Sequence, residues 1–370
     1  MSCDYTALAA PGVQGLQPYQ PGKPIEELAR ELGLDPAGIV KLASNENPLG
    51  PSGKALAAMQ AALPELCRYP DGNGFALKQK LAERFALGVD QITLGNGSND
   101  VLELIARGFA DRDSEIIYSQ HAFAVYPLVT QAIGAHHVQV PAKNWGHDLP
   151  AMAAAVTERT RIIFIANPNN PTGTVVGQGA LTGFLEQIPE RVVVVLDEAY
   201  CEYMHGDDAA DGIPLLARFP NLIVSRTFSK AWGLAGLRVG YGIANAQITN
   251  VLNRVRQPFN VDSLAQAAAV AVLDDADYLA EACRVNSAGL QQLNQGLEAL
   301  GLEVIPSAAN FVAVDVGRDA GPVYEGLLRR GVIVRPVAAY GMPRHLRISV
   351  GLEAENRQCL SALAAVLAEL

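Results

Sequence analysis

The lysines of this sequence are few, and one of them stands apart. Of the 28 basic residues 7 are lysines, and Lys230 is the only one that follows Lys143. A lysine amine can lose its proton and attack a carbonyl carbon, which an arginine does not do. In the sequence, Lys230 follows the hydroxyl residues Thr227 and Ser229 and precedes Arg238 by eight positions. A single lysine is usually a solvated surface charge, but this setting favours a nucleophile beside an anion-binding site.

Three other polar clusters follow predicted strands. Ser98 and Asn99 belong to a glycine-containing turn that opens a helix, where backbone N–H groups can bind an anion. Asn170 lies in a rigid turn with two prolines, and Asp197 and Tyr200 follow a run of valines. Taken alone, the first cluster is explained equally well as a capped helix start, the second as a turn and Asp197 as a helix cap.

Together these residue types meet the needs of one cofactor. A phosphate requires a helix N-terminus, hydroxyls and an arginine such as Arg238. An aldehyde requires Lys230, a pyridine nitrogen requires Asp197, and a phenolate oxygen requires Asn170 and Tyr200. We therefore predict pyridoxal 5′-phosphate as the cofactor. A dinucleotide cofactor is not indicated, because neither a GxGxxG nor a GxxxxGK[ST] fingerprint occurs.

The elements that would position these residues alternate between strand and helix. Short β-branched runs alternate with amphipathic segments from about residue 90 to 245, which indicates βαβ units and a largely parallel sheet. Ligands of such sheets bind beyond the carboxyl ends of the strands. We predict strands at 92–94, 115–118, 137–140, 161–166, 191–196, 221–225 and 239–243, and in the C-terminal part at 310–316, 332–335 and 346–350.

The ends of the chain differ from this central part. Residues 1–38 are rich in proline and glycine, which predicts an extended N-terminal arm. A long helical pattern over 263–299 opens a segment that we interpret as a smaller α+β domain, 263–370. The predicted fold is therefore α/β, with a large cofactor-binding domain at 39–262 that has a mostly parallel central sheet.

Composition excludes several classes of protein. The chain has 370 residues, a net charge of −10 and 49% hydrophobic residues, so it is neither disordered nor basic enough to predict a nucleic-acid surface. Its five cysteines form no CxxC and its six histidines no HExxH, so we expect neither a disulfide framework nor a metal site. With no leader and no long apolar run, we expect a cytoplasmic protein without a membrane span.

Seven short motifs resemble those of a known family. Four of them are typical of fold-type I aminotransferases: NPNNPTG at 167–173, DEAY at 197–200, SK at 229–230 and GLRVG at 236–240. Three more are similar to the histidinol-phosphate aminotransferase branch: NENP at 45–48, RYP at 68–70 and LRISVG at 346–351. The resemblance covers essentially the full chain. It implies a homodimer with active sites at the subunit interface and a small domain made from both termini.

The resemblance also assigns roles that the residues alone do not. It implies that Tyr69 reaches the cofactor phosphate of the neighbouring subunit and that Phe123, where the family often has tyrosine, stacks on the pyridine ring.

For substrate binding, the resemblance points to four residues. Arg347 and Arg335 would bind an anionic substrate group, Tyr19 in the arm would close over the substrate, and Asn47 belongs to the same set. Two guanidinium groups suit a phosphate, or the two carboxylates of glutamate in turn.

The predicted enzyme is a transaminase in which Lys230, Asp197 and Tyr200 are catalytic. The leading reaction converts L-histidinol phosphate and 2-oxoglutarate to imidazole acetol phosphate and L-glutamate, in histidine biosynthesis. The alternatives with the same chemistry are an aromatic-amino-acid aminotransferase, for phenylalanine or tyrosine, and a threonine-phosphate decarboxylase. A nicotinamide-binding protein and a regulatory ligand-binding module fall behind, since the chain lacks a glycine fingerprint and its N-terminal segment is too short for a DNA-binding domain.

Overall fold

A computed structural model describes residues 3–19, 21–204, 206 and 209–370. Their strands form three sheets. In chain order the strands are β1 (Val40–Lys41), β2 (Ile92–Gly95), β3 (Glu115–Ser119), β4 (His136–Val140), β5 (Thr160–Ala166), β6 (Val193–Asp197), β7 (Leu222–Thr227), β8 (Gly240–Ile243), β9 (Glu303–Ile305), β10 (Phe311–Asp315), β11 (Val332–Ile333), β12 (Arg335–Pro336) and β13 (His345–Ser349).

Helices cover these sheets. They are α1 (Tyr5–Leu8), α2 (Pro11–Gln14), α3 (Ile25–Leu32), α4 (Gly53–Ala62), α5 (Phe75–Phe85), α6 (Ser98–Phe109), α7 (Val125–Ala132), α8 (Leu149–Ala154), α9 (Gln178–Leu185), α10 (Ala246–Val255), α11 (Ser263–Val272), α12 (Ala276–Ala299), α13 (Ala320–Arg329) and α14 (Glu353–Glu369). Among the described residues, no helix combines the length and apolar character needed to cross a membrane.

The largest sheet has seven strands in the order β2-β8-β7-β6-β5-β3-β4. Only β8 runs antiparallel to its neighbours, so the carboxyl ends of β2, β5, β6 and β7 meet at one edge. Each of these seven strands lies within two residues of its predicted bounds. The arrangement confirms the predicted α/β fold class, and it brings the polar turns after four strands into one place.

Both faces of this sheet are buried. Along β6, Val194 and Leu196 face a core shared with α4, α5 and α11, while Val193 and Val195 face a second core shared with α6, α7 and α10. Successive side chains of a strand point to opposite faces, so a continuous run of valines is what a doubly covered strand requires.

A smaller antiparallel sheet, in the order β12-β13-β10-β9, lies in the C-terminal part of the chain. Its helices α12, α13 and α14 pack on it and on one another. Strand β1 pairs in parallel with β11, which ties the segment after the arm to this region. Helix α11 instead packs on α4 and α5, so the helical pattern predicted over 263–299 divides between two cores. The domain boundaries at 38/39 and 262/263 stay predictions.

The extended conformation predicted for the arm is wrong in part. Residues Ile25, Leu28 and Ala29 have helical spacing and form one face of α3, which packs against Leu328 and Ile333. The helix ends at Gly33, whose φ of 66° is a left-handed conformation suited to glycine. The prolines and glycines of this segment flank the helix, and their density concealed a short amphipathic pattern between them.

Gly240 in β8 provides a test of how closely the sheet approaches the start of α6. A Cβ atom at Gly240 would lie 2.5 Å from the backbone nitrogen of Ser98 and 3.0 Å from the carbonyl oxygen of Arg226. Because backbone must move, Gly240→Ala should lower the free energy of unfolding by about 1–3 kcal/mol. Urea unfolding followed by circular dichroism would measure this change.

Gly183→Ala in α9 is the matched control. Nothing lies within 4 Å of a Cβ atom there, so the alanine should be neutral or stabilising by up to about 1 kcal/mol. Equal stability of the two variants would show that β8 and α6 are not in close contact.

Candidate active site

A cavity of about 490 Å³ lies at the carboxyl edge of the large sheet. The turns after β2, β5, β6 and β7 line it, together with the arm and two side chains of the small sheet. Most of the predicted site residues line this cavity: Tyr19, Ser98, Asn99, Phe123, Asn170, Asp197, Tyr200, Thr227, Ser229, Lys230, Arg238, Arg335 and Arg347.

Lys230 lies in the turn after β7, with its amine inside the cavity. Its Nζ donates a hydrogen bond to the carbonyl oxygen of Ser44 at 3.2 Å and lies 5.7 Å from the centre of the Tyr200 ring. Burial, followed by the positive charge of Arg347, lowers the pKa of Lys230 to about 8. Roughly a tenth of the amine is therefore unprotonated at pH 7, far more than for an ordinary lysine, and this form can act as a nucleophile or general base.

Asp197 ends β6 and is almost completely buried, with 5% of its surface exposed. Its Oδ2 accepts a hydrogen bond from the Tyr126 hydroxyl at 2.8 Å, whereas its buried Oδ1 has no hydrogen-bond partner among the described residues. Burial raises the pKa of Asp197 to about 6. An unpaired carboxylate oxygen inside a protein is costly, so this atom fits a ligand that brings its own N–H donor.

The opposite end of the cavity can bind an anion. Helix α6 begins at Ser98 with Gly97 as its N-cap and no side-chain cap, so its first N–H groups remain available. The Thr227 hydroxyl donates to Ser229 Oγ at 3.0 Å, and Arg238 Nη1 donates to the same oxygen at 3.3 Å. A Cβ atom at Gly97 would lie 2.3 Å from Arg238 Nη2, so glycine is needed for the guanidinium to approach the helix start.

Side-chain hydrogen bonds link Tyr200 to the small sheet. The Tyr200 hydroxyl accepts hydrogen bonds from Asn45 at 2.9 Å and from Asn170 at 3.2 Å. Asn170 Oδ1 in turn accepts from Arg347 Nη1 at 2.6 Å. Burial raises the pKa of Tyr200 to about 12, so the phenol stays protonated and its own O–H can be donated to a ligand.

Arg347 and Arg335 form the cationic wall of the cavity. Arg347 is 5% exposed, donates to the Ala43 carbonyl oxygen at 2.7 Å and lies over the Phe311 ring. Its buried Nε has no hydrogen-bond partner within the part of the chain that the structure describes. The Tyr19 ring lies 5.5 Å from the Arg335 guanidinium. These guanidinium groups can bind an anionic part of a substrate, with Tyr19 beside it.

Two predicted site residues do not line the cavity of their own chain. Tyr69 is 82% exposed and stacks on Phe259. Asn47 donates to the Ala231 carbonyl oxygen at 2.9 Å and to the Tyr278 hydroxyl at 3.1 Å, so its amide supports the turn after β7. The substrate-binding role of Asn47 and the role of Tyr69 in a neighbouring subunit stay predictions.

Sequence reasoning missed three residues of the site. Asn45 opens the NENP motif and bonds to Tyr200, and Tyr126 follows Phe123 by three residues and bonds to Asp197. Glu46, the second residue of NENP, lines the cavity. The motif was a signal for Asn45 and Glu46, while only the packing of α7 against β6 reveals Tyr126.

Comparison with known proteins identifies the family. The family model described as aminotransferase class I and II matches residues 37–363. The chain belongs to this family.

Individual relatives show which members of this family the chain is similar to. The chain is 65% identical over 368 residues to histidinol-phosphate aminotransferase 2 of Pseudomonas fluorescens, covering 100% of both chains. It is 64% identical over 365 residues to histidinol-phosphate aminotransferase 2 of Pseudomonas aeruginosa, covering 99% of both. The crystal structure of histidinol-phosphate aminotransferase from Sinorhizobium meliloti in complex with pyridoxal-5′-phosphate matches with a TM-score of 0.90 and 31% identity, over 97% of both chains.

These matches confirm the predicted aminotransferase class, the resemblance to the histidinol-phosphate branch and the predicted cofactor. The geometry fits that cofactor. The unpaired Oδ1 of Asp197 suits a protonated ring nitrogen, and the uncapped start of α6 with Arg238 suits a phosphate.

Tyr126→Phe tests the electrostatics of Asp197. The Tyr126 hydroxyl donates to the carboxylate and so favours its ionised form, which lowers the pKa against the effect of burial. Without this hydrogen bond, the pKa of Asp197 should rise above about 6 in the cofactor-free protein. Carbon NMR of labelled aspartate over a pH series would measure it.

Tyr118→Phe serves as the control, because the Tyr118 hydroxyl bonds to His137 Nδ1 and not to Asp197. An unchanged pKa of Asp197 in Tyr126→Phe, or an equal rise in both variants, would contradict this account.

Proposed function

We propose that the protein transfers the amino group of L-histidinol phosphate to 2-oxoglutarate and forms imidazole acetol phosphate and L-glutamate, a step of histidine biosynthesis. The observation that carries this proposal is a second anion site in the cavity, at Arg335 and Arg347, in addition to the phosphate site at Arg238. Full-length relatives that bear the name histidinol-phosphate aminotransferase support it.

The residues of the cavity divide into those that hold the cofactor and those that handle protons. Pyridoxal 5′-phosphate, when bound, supplies an aldehyde that bonds to amines and a ring that withdraws electrons from the substrate carbon. Asp197 would hold the proton of the ring nitrogen and so keep the ring positively charged. The phosphate would be bound by Ser98, Asn99, Thr227, Ser229 and Arg238, and Phe123 would pack on a ring face.

Lys230 carries out the proton transfer. When the cofactor is bound, the Lys230 amine would hold its aldehyde, and the same amine, once free, would move a proton to and from the substrate carbon. A lysine with an ordinary pKa of 10.5 would be almost fully protonated at neutral pH. Burial and Arg347 lower the pKa to about 8, so roughly a tenth of the amine is unprotonated at pH 7 and can accept that proton. Tyr200 and Asn170 would donate hydrogen bonds to the phenolate oxygen of the cofactor.

The anion site must serve both half-reactions. Histidinol phosphate has no carboxylate, so its phosphate occupies the site of Arg335 and Arg347, which glutamate and 2-oxoglutarate then fill with a carboxylate. Tyr19 from the arm covers this end of the cavity. A phosphate with charge near −2 gains more from two guanidinium groups than the single α-carboxylate of phenylalanine or tyrosine does. We therefore place aromatic amino acids behind histidinol phosphate as substrates. Threonine phosphate carries a phosphate too, and we place it behind because full-length relatives bear the name histidinol-phosphate aminotransferase.

A homodimer is part of the proposal. Large apolar side chains near Tyr69 in the sequence are exposed, namely Leu63, Leu66 and Phe75, and so is Phe259, which stacks on Tyr69. A second subunit would bury these side chains, and Tyr69 would then contact the cofactor phosphate that is bound in that second subunit. We also propose a cytoplasmic location, since all five cysteines are free thiols, as a reducing compartment favours.

A donor panel tests the substrate. The holoenzyme is mixed in single turnovers with histidinol phosphate, phenylalanine, tyrosine or threonine phosphate, and the loss of cofactor absorbance near its visible maximum is followed. We expect histidinol phosphate to react fastest, because its phosphate matches the paired arginines. Faster reaction of an aromatic amino acid would overturn the substrate assignment, and carbon dioxide release from threonine phosphate would indicate the decarboxylase.

Mixing two inactive variants tests the shared site. If Tyr69 acts in the neighbouring subunit, Lys230→Ala and Tyr69→Ala dimers that exchange subunits will form mixed dimers with one intact site. Random exchange should restore roughly a quarter of the wild-type activity, because about half of the dimers are mixed. If Tyr69 serves its own chain, every site keeps one defect and activity stays at the level of the unmixed variants.

A further inference from the structure

Glu46 lines the cavity without a role in the chemistry described above. Among the described residues that line it, only Asp197 and Glu46 carry a carboxylate, and Asp197 is committed to the cofactor ring. Glu46 differs from Asp197 in exposure, since 48% of its side chain is exposed. Glu46 shares the cavity with four cationic side chains. Its negative charge opposes the binding of anions there, so its presence needs a physical explanation.

The position of Glu46 places it near the reacting amine. Ser44, two residues earlier, accepts the hydrogen bond from Lys230 Nζ at 3.2 Å, and a Cβ atom at Gly22 would lie 3.3 Å from Ser44 Oγ. Segments 21–22 and 43–46 therefore form one wall of the cavity. The charge of Glu46 reaches Lys230 and raises its pKa against the effect of burial. A substrate bonded through its amine would extend its side chain along this wall.

The Glu46 carboxylate already forms one ion pair within the chain. Lys41 Nζ lies 3.3 Å from Glu46 Oε2 and 3.4 Å from Oε1. Both side chains are partly exposed to solvent, so the pair contributes little to stability. A carboxylate has about four acceptor sites, and a single ammonium group leaves several of them available. Glu46 can therefore still accept a hydrogen bond from a ligand.

The proposed substrate has one polar group that the site has not yet satisfied. This step rests on the proposed function: the phosphate of histidinol phosphate binds Arg335 and Arg347, and its amine reacts near Lys230. The imidazole ring remains, with an N–H donor and an ordinary pKa near 6.5, close enough to neutrality for a carboxylate to favour the charged form. We propose that Glu46 accepts a hydrogen bond from the imidazole N–H of histidinol phosphate and so selects this donor over donors without one.

The test compares two amino donors in wild type and in Glu46→Gln. Glutamine keeps the size of the side chain and removes its charge. The glutamine oxygen can still accept the hydrogen bond but without the charge, so the KM for histidinol phosphate should rise about 5- to 15-fold relative to the KM for glutamate, which has no imidazole. Phenylalaninol phosphate, the phenyl analogue, should have a higher KM than histidinol phosphate with wild type. Its KM should not rise further in Glu46→Gln, because its ring has no N–H.

Lys41→Met separates the carboxylate from its ion pair. This variant breaks the pair but keeps Glu46, so the ratio of the two KM values should stay at the wild-type level. An equal change of that ratio in Lys41→Met and Glu46→Gln would overturn the proposal in favour of a structural ion pair. An equal rise of the KM for histidinol phosphate and of the KM for glutamate in Glu46→Gln would also overturn the proposal. It would show that Glu46 acts on the Lys230 amine and not on the imidazole.

The same data distinguish this inference from the proposed function. If wild type does not accept histidinol phosphate, the proposed function fails and the inference with it. If wild type accepts it and Glu46→Gln leaves the ratio unchanged, only the inference fails.

Discussion

The constraint on which the rest depends is the burial of two ionisable groups, Lys230 and Asp197, in one cavity. Burial disfavours both charges and shifts the two pKa values toward each other, to about 8 for the lysine and about 6 for the aspartate. Raising the pKa of Asp197 from its ordinary 3.8 corresponds to about 3 kcal/mol that burial imposes on the ionised form. A cofactor with an aldehyde and a protonated ring nitrogen relieves both groups at once, which explains why they lie together.

The large sheet makes this burial possible. Asp197 ends a strand that is covered on both faces, and Lys230 follows the neighbouring strand, so the two side chains share the carboxyl edge. The small sheet completes the cavity from the other side, because β13 carries Arg347 to Asn170. Cofactor binding thus depends on the large sheet, and substrate binding depends on how the small sheet meets it.

Much of this arrangement could be predicted from the sequence. The period of the apolar runs located the strands, and the order of parallel strands then placed Asp197, Thr227 and Lys230 at one edge. What the sequence did not reveal depends on contacts between distant segments. Tyr126 has no motif of its own and becomes significant only because α7 packs against β6. The short helix α3 was hidden by flanking prolines, and its apolar face is explained only by α13 and β11, on which it packs.

The central claim is that Lys230 bonds to the cofactor in the cavity. Borohydride reduction of the holoenzyme would fix the cofactor to its lysine, and peptide mass spectrometry would locate it among the 7 lysines of the chain. The account predicts a single modified peptide that contains Lys230. Modification of any other lysine in its place, or a holoenzyme that reduction leaves unmodified, would contradict it.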